Sequence, residues 1–181
     1  MHKLPVLGSL TLLLLAPLAH AGDPLAPKRV SKDTDVSLTS AVKESLVDNG
    51  IAKKGEVQVE THQRVVQLSG FVDSEATQEL ALQAAKNVEG VASVRNDLVV
   101  QSSTPTKAEA REDTVIAAKV RKQLQQEPDL ESARNINVEV SEGVVQLSGF
   151  VANVDEKARA ADAVAAIAGV RDVRNDIALE R

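Results

Sequence analysis

The chain has no cysteine, no tryptophan and no tyrosine, and only two phenylalanines among 181 residues. The missing thiols exclude disulfide frameworks, thiolate zinc sites, cysteine nucleophiles and lipid attachment through a cysteine. So few aromatic rings leave no stacking platform of the kind that single-stranded nucleic acid or sugar rings require. Positive charge is short as well: 21 Lys+Arg stand against 26 Asp+Glu. A protein that neutralises phosphates along a nucleic acid needs the opposite balance, so nucleic acid is not an expected partner. What is present is an ordinary globular share of apolar residues, 43%, enough to build a core.

Long hydrophobic runs are also scarce, with one exception at the N-terminus. Met1, His2 and Lys3 form a short basic start, Leu4 to Leu18 is apolar, and Ala19-His20-Ala21 offers the small-x-small pattern of a signal-peptidase site. The run is shorter than the roughly 20 residues a bilayer span needs and is interrupted by Pro5 and Pro17. The expectation is a Sec signal peptide over residues 1–21, cleaved before Gly22. The mature chain would then carry no transmembrane segment and lie in the periplasm. With no cysteine to acylate, it would not be a lipoprotein.

The remainder is a duplication. Shifting the chain by 79 residues superimposes Val65-Val66-Gln67-Leu68-Ser69-Gly70-Phe71-Val72 on residues 144–151 without a mismatch, and Val65 to Val100 matches at 16 of 36 positions. Later in the register, Arg95-Asn96-Asp97 meets Arg174-Asn175-Asp176. Upstream the shift becomes 78, pairing Asp35, Leu38, Val42 and Leu46 with Asp113, Ile116, Val120 and Leu124. Two copies are too few for a solenoid, so the reading is two small domains. They span 35–101 and 111–181, with a polar, Pro-containing linker at 102–110 and a disordered lead-in at 22–34.

Inside each copy the hydrophobic period changes in a set order. Leu38, Val42 and Leu46, like Ile116, Val120 and Leu124, mark one helical face. Thr106-x-x-Glu109 reads as a capping box that starts the second copy's helix early. Val57 and Val59, like Ile136, Val138 and Val140, alternate as half-buried strands do. Turns at His62-Gln63 and Glu142-Gly143 lead into Val65 to Phe71 and Val144 to Phe150, making hairpins. Ser74 and Asn153 are N-caps of a second, alanine-rich helix, which Gly90 and Gly169 close as C-terminal caps. A last strand carries Val94, Asn96, Leu98 and Val100, or Val173, Asn175, Ile177 and Leu179. The fold class is α+β: two αββαβ domains, each a three-stranded mixed sheet with both helices on one face and a right-handed crossover.

The valine-rich strand ending Val-Gln-Leu-Ser-Gly-Phe-Val, the Gly-Val after the second helix and the closing Val-x-Asn-x-Leu/Ile pattern resemble the BON domain. A signal peptide followed by two such domains is similar to the OsmY-type osmotically inducible periplasmic proteins. That resemblance implies a non-enzymatic envelope protein, associated with phospholipid or with exported proteins and often with stress protection.

Direct inspection of the residues finds no catalytic constellation. His62 would be the sole histidine of the mature chain and falls in a hairpin turn. Three or four ligands are needed to hold a metal, and no such set, nor any cofactor motif, is legible. Ser69-Gly70 and Ser148-Gly149 lack a Gly-x-Ser-x-Gly elbow, and the glycine is better read as permitting a bulge or a close backbone approach. The Asn of each Arg-Asn-Asp triplet is expected to bond backbone within the fold. Charge is the feature on which the copies differ most: residues 33–102 carry 6 basic and 11 acidic side chains, residues 111–181 carry 10 and 13. The first helix of the second copy holds Arg111, Lys119, Arg121 and Lys122, against Lys43 alone in the first. These four are the candidate residues for weak, salt-sensitive contact with an anionic phospholipid surface. The alternative partner is an exported or outer-membrane polypeptide, shielded by a holdase-type chaperone. Oligomeric state is not legible.

Overall fold

A computed structural model describes residues 32–51, 54–101, 103 and 105–180. The signal peptide, its cleavage site and nearly all of the lead-in lie outside the described residues.

The first copy runs α1 (Lys32–Asp48), β1 (Gly55–His62), β2 (Val65–Val72), α2 (Glu75–Lys86) and β3 (Ser93–Val100). The second runs α3 (Lys107–Gln126), a short 3-10 helix (Glu131–Asn135), β4 (Ile136–Ser141), β5 (Val144–Val151), α4 (Val154–Ala165), β6 (Asp172–Asn175) and β7 (Ala178–Leu179). In each sheet the middle strand pairs antiparallel with its hairpin partner and parallel with the strand after the crossover helix. The αββαβ order and the mixed sheet are thus those read from the periodicity. The final strand of the second copy is interrupted where that of the first is continuous. Its two pieces share one register, Val144 opposite Asp172 and Phe150 opposite Ala178, so it is one strand with a gap in its ladder.

Each domain has its own core. Val42, Leu46, Val66, Leu68, Ala81 and Ala85 anchor the first; Val120, Leu124, Val145, Leu147, Ala160 and Val164 anchor the second. The identical strands supply Val66/Val145 and Leu68/Leu147 to these cores, and the residues between them point to the opposite face of the sheet.

Local signals behave as their chemistry requires. Ser74 and Asn153 accept from the backbone N–H groups of Thr77 and Glu156, and Thr106 forms the complete capping box with Glu109 that starts α3 at Lys107. Hydrogen bonds from the Thr106 hydroxyl and N–H hold the Glu109 carboxyl below its ordinary range. The hairpin turns are two-residue turns with φ > 0 at both positions, Gln63-Arg64 and Glu142-Gly143, so the first lies one residue beyond the expected His62-Gln63. Asp35 and Asp113 explain their own repetition. Each carboxylate accepts both turn N–H groups, at 2.8 and 2.9 Å in the first copy and 2.9 Å twice in the second.

Gly90 and Gly169 do not cap the helices, which end at Lys86 and Ala165. They close the turn that follows, with φ of +95° and +102°. A Cβ there would lie 3.1 Å from Leu38 or 3.0 Å from Ile116.

Candidate functional site: a basic helix face and the junction between the domains

Five residues of α3 at the spacing 107, 111, 115, 119 and 122 fall on one face of the helix, opposite the buried Ile116, Val120 and Leu124. Four are the exposed cations Lys107, Arg111, Lys119 and Lys122, and between them stands Val115, 53% exposed. From Arg111 to Lys122 the stripe is about 16 Å long at the helical rise. None of the four cations takes part in a salt bridge among the described residues. Arg111, Lys119 and Lys122 therefore come together as a surface, joined by Lys107 and Val115, which the sequence reading did not include. The signal for both is the i, i+4 spacing; the expected linker bounds, 102–110, leave out Lys107, which the structure places in the first turn of α3.

Arg121 does not share this face. Its guanidinium donates to the Val138 carbonyl at 2.7 Å, and it lines a cavity of about 540 Å³ at the domain junction, together with Lys54, Glu56, Phe71, Glu139 and Ser141. Here Gln58 of the first domain donates to Glu139 of the second at 2.9 Å. Burial, then the hydrogen bond and charge of the neighbouring Glu56 carboxyl, push Glu139 up to about 7. The Gln58 bond and the Arg121 charge act against that rise.

The junction itself is made by the helix-free faces of the two sheets. Gln67 and Gln146, each 1% exposed, are its centre. The Gln67 amide donates to the Asp97 carboxylate at 2.7 Å within its own domain and to the Asp176 carbonyl at 2.7 Å across the junction. Gln146 repeats this, donating to the Asp176 carboxylate at 2.7 Å and the Asp97 carbonyl at 2.6 Å. Each glutamine oxygen accepts an N–H from the other domain, Gly70 for Gln146 and Gly149 for Gln67. On the axis between them the Ser69 and Ser148 hydroxyls are 2.7 Å apart. At one rim His62 packs on Phe150, ring centroids 5.2 Å apart, so this histidine ends β1 at a domain contact instead of occupying an open turn.

The Arg-Asn-Asp triplets are accounted for by the same contacts. The aspartate receives the glutamine, and Arg95 pairs with Asp97 at 2.6 Å, Arg174 with Asp176 at 3.7 Å. The asparagine bonds backbone: Asn175 donates to the Lys157 carbonyl and Asn96 accepts from the Leu98 N–H.

With this geometry in view, the comparisons are direct. The BON domain model matches residues 34–102 and again 112–181. The chain belongs to the BON-domain family. It is 38% identical over 144 residues to osmotically-inducible protein Y of Escherichia coli (strain K12), covering 79% of this chain and 71% of that protein. Among solved structures it aligns with CdsD, a structural protein of the type III secretion system of Chlamydia trachomatis. The identity is 14% and the TM-score 0.33, covering 79% of this chain and 92% of that one. A C-terminal domain of the same protein aligns at 14% identity and a TM-score of 0.30, covering 81% and 98%. Among the described residues of this BON protein, no helix is long and apolar enough to cross a membrane, and no group of three or more His, Cys, Asp or Glu is placed to hold a metal ion.

Proposed function

We propose that this protein is a non-enzymatic periplasmic component of the osmotic-stress response whose second domain rests weakly on anionic phospholipid. The observation that carries the reading is the outward face of α3, with four cations around the exposed Val115 that make no salt bridge among the described residues. Near an anionic surface each such cation contributes about 1 kcal/mol. Partial insertion of one valine adds about another 1 kcal/mol. Without an acyl chain the sum gives reversible binding that salt weakens. The signal-like N-terminus and the osmotically inducible relative support the compartment and the stress; the BON pair and the absence of a catalytic constellation support binding over catalysis.

The holdase reading has less behind it. A client-shielding surface needs a contiguous apolar patch, whereas the exposed large apolar side chains Val36, Val47, Leu80, Val115, Val154 and Leu179 are spread over α1, α2, α3, α4 and β7.

Vesicle flotation of the mature chain, residues 22–181, tests the proposal. Phosphatidylglycerol vesicles should carry the protein at low salt, phosphatidylcholine vesicles should not, and Lys119→Glu with Lys122→Glu should abolish flotation. Failure to float even at low salt would remove the lipid reading and leave a polypeptide partner.

A further inference from the structure

The junction has a property beyond holding two domains together: its two sides are the same surface. Gln67, Ser69, Gly70 and Asp97 face Gln146, Ser148, Gly149 and Asp176, the identical residues one repeat later. Every central bond is made twice, once in each direction. This is the isologous arrangement of a two-fold dimer, built here from one chain. The rim follows the same rule. Gln58 donates to Glu139, and Asn137 donates to Glu60 at 2.9 Å; position 58 corresponds to 137, and 60 to 139, so each side offers one amide and one carboxylate. A domain that met a copy of itself in this geometry would find every one of these partners in place.

Two rim positions break the equality: His62, which packs on Phe150, corresponds to Ser141 in the second copy, and a second position differs in charge. Glu56 lies against Glu139, but the residue that corresponds to Glu56 in the second copy is Asn135. Two second domains would meet without a carboxylate pair, whereas two first domains would set Glu56 beside Glu60 of the second copy on both rims. Like-on-like pairing is thus better suited to the second domain.

We propose that the helix-free sheet face of the second domain is a docking surface for the same face of a second copy of this chain, available when the two domains of one chain part. In the closed chain the tether keeps the first domain at high effective concentration and wins the competition. Disabling the first domain's face should therefore create a dimer.

Ser69 is suited to that purpose, because it is buried against Ser148 and outside its own domain's core. In Ser69→Arg the arginine has no room in the closed junction, and pairing of the first domain with either domain of a second copy is blocked in the same way. The expected result in analytical ultracentrifugation of the full mature chain is a doubled mass. Ser69→Arg with Ser148→Arg should return it to monomer. Because the chain has no cysteine, adding Ser148→Cys to Ser69→Arg should yield a disulfide-linked dimer on oxidation, the two sulfurs meeting on the axis. Should Ser69→Arg lose its circular dichroism, Gln67→Glu, which keeps shape and removes both amide donations, replaces it with the same expectation. A folded single variant that stays monomeric at the highest concentration overturns the proposal. So does self-association that persists in the double variant.

Discussion

The two copies are most alike where they face each other and least alike where they face outward. Along the middle strands, Val65–Val72 and Val144–Val151, nothing has changed, because both faces of the strand are committed: Val66 and Leu68 to a core, Gln67 and Ser69 to the other domain. On the first helices the freedom is larger. Where α3 carries Val115, Lys119 and Lys122, α1 carries Ser37, Ala41 and Glu44. The exposed face of α1 has no packing duty, and the same is true of α3. A charge difference confined to that face therefore marks a difference in what lies outside, not in how the domains fold.

The largest expected effect breaks the outward half of this comparison. Lys119→Glu with Lys122→Glu reverses four charge units, which at about 1 kcal/mol each corresponds to on the order of a 1,000-fold loss of affinity for anionic vesicles. The reciprocal graft, Ala41→Lys with Glu44→Lys in α1, should give the first domain a binding face and partly restore flotation to the double Glu variant. Restoration would show that the helix face, not the domain around it, decides binding.

The inward half is broken by Gly149→Ala and Gly70→Ala. Both glycines have φ near +115° (118° and 113°), and a Cβ would stand 2.2 Å from the Asn135 carbonyl oxygen or 1.9 Å from that of Glu56. Each substitution should cost about 2–4 kcal/mol in urea denaturation, and the two costs should be nearly equal. Unequal costs would mean that the two hairpins do not hold their glycine equally tightly.

Asp35 and Asp113 sharpen the comparison by a smaller step. Both clamp a hairpin turn, but Asp113 is buried while Asp35 is partly open to solvent. Water can replace the lost acceptor more readily in the first copy. Asp113→Ala should cost about 2 kcal/mol and Asp35→Ala about 1 kcal/mol, read from the same denaturation curves.

How much of this was legible in the chain follows from the range of each interaction. Helix starts at Ser74, Thr106 and Asn153, the strand periods and the crossover depend on neighbours within a few residues, and they were readable. The stripe Arg111, Lys119, Lys122 was readable for the same reason, one helix being its own ruler. The eight-residue identity announced a constraint but not its nature. Gln67 and Gln146 make their cross-junction bonds over separations of 109 and 49 residues along the chain, and no local pattern distinguishes a glutamine facing water from one facing another sheet. The partner of Arg121, which stands to the side of that stripe, is hidden on similar grounds, since Val138 belongs to a strand that packs beside the helix. Gly90 and Gly169 read as helix caps because a glycine after an alanine-rich run signals a stop, without fixing how many residues of turn intervene.

The smallest effect concerns the place where the junction is unequal in charge. Glu139 has an ordinary value of 4.5 and is held near 7 in the folded chain by burial and by Glu56, against Gln58 and Arg121. Between those two values the folded chain keeps a proton that the unfolded chain has released. Stability contributed by the neutral carboxyl is complete below about pH 4.5 and is lost as the pH rises through 7. Because the group is partly exposed, solvent screening reduces the swing to about 1 kcal/mol. Asp73 and Glu109, whose values are lowered by hydrogen bonds from Thr77 and Thr106, act below that window and not within it. Denaturation between pH 5 and pH 8 should therefore show the wild-type chain weakening with rising pH, and Glu139→Gln should flatten the profile by supplying a permanently neutral side chain. Glu56→Gln should flatten it only in part, because it removes the carboxylate that Glu139 faces and leaves the burial that raises Glu139 most. If only Glu139→Gln flattens the curve, burial alone raises Glu139, and the inequality between like and unlike domain pairs rests on shape instead of charge.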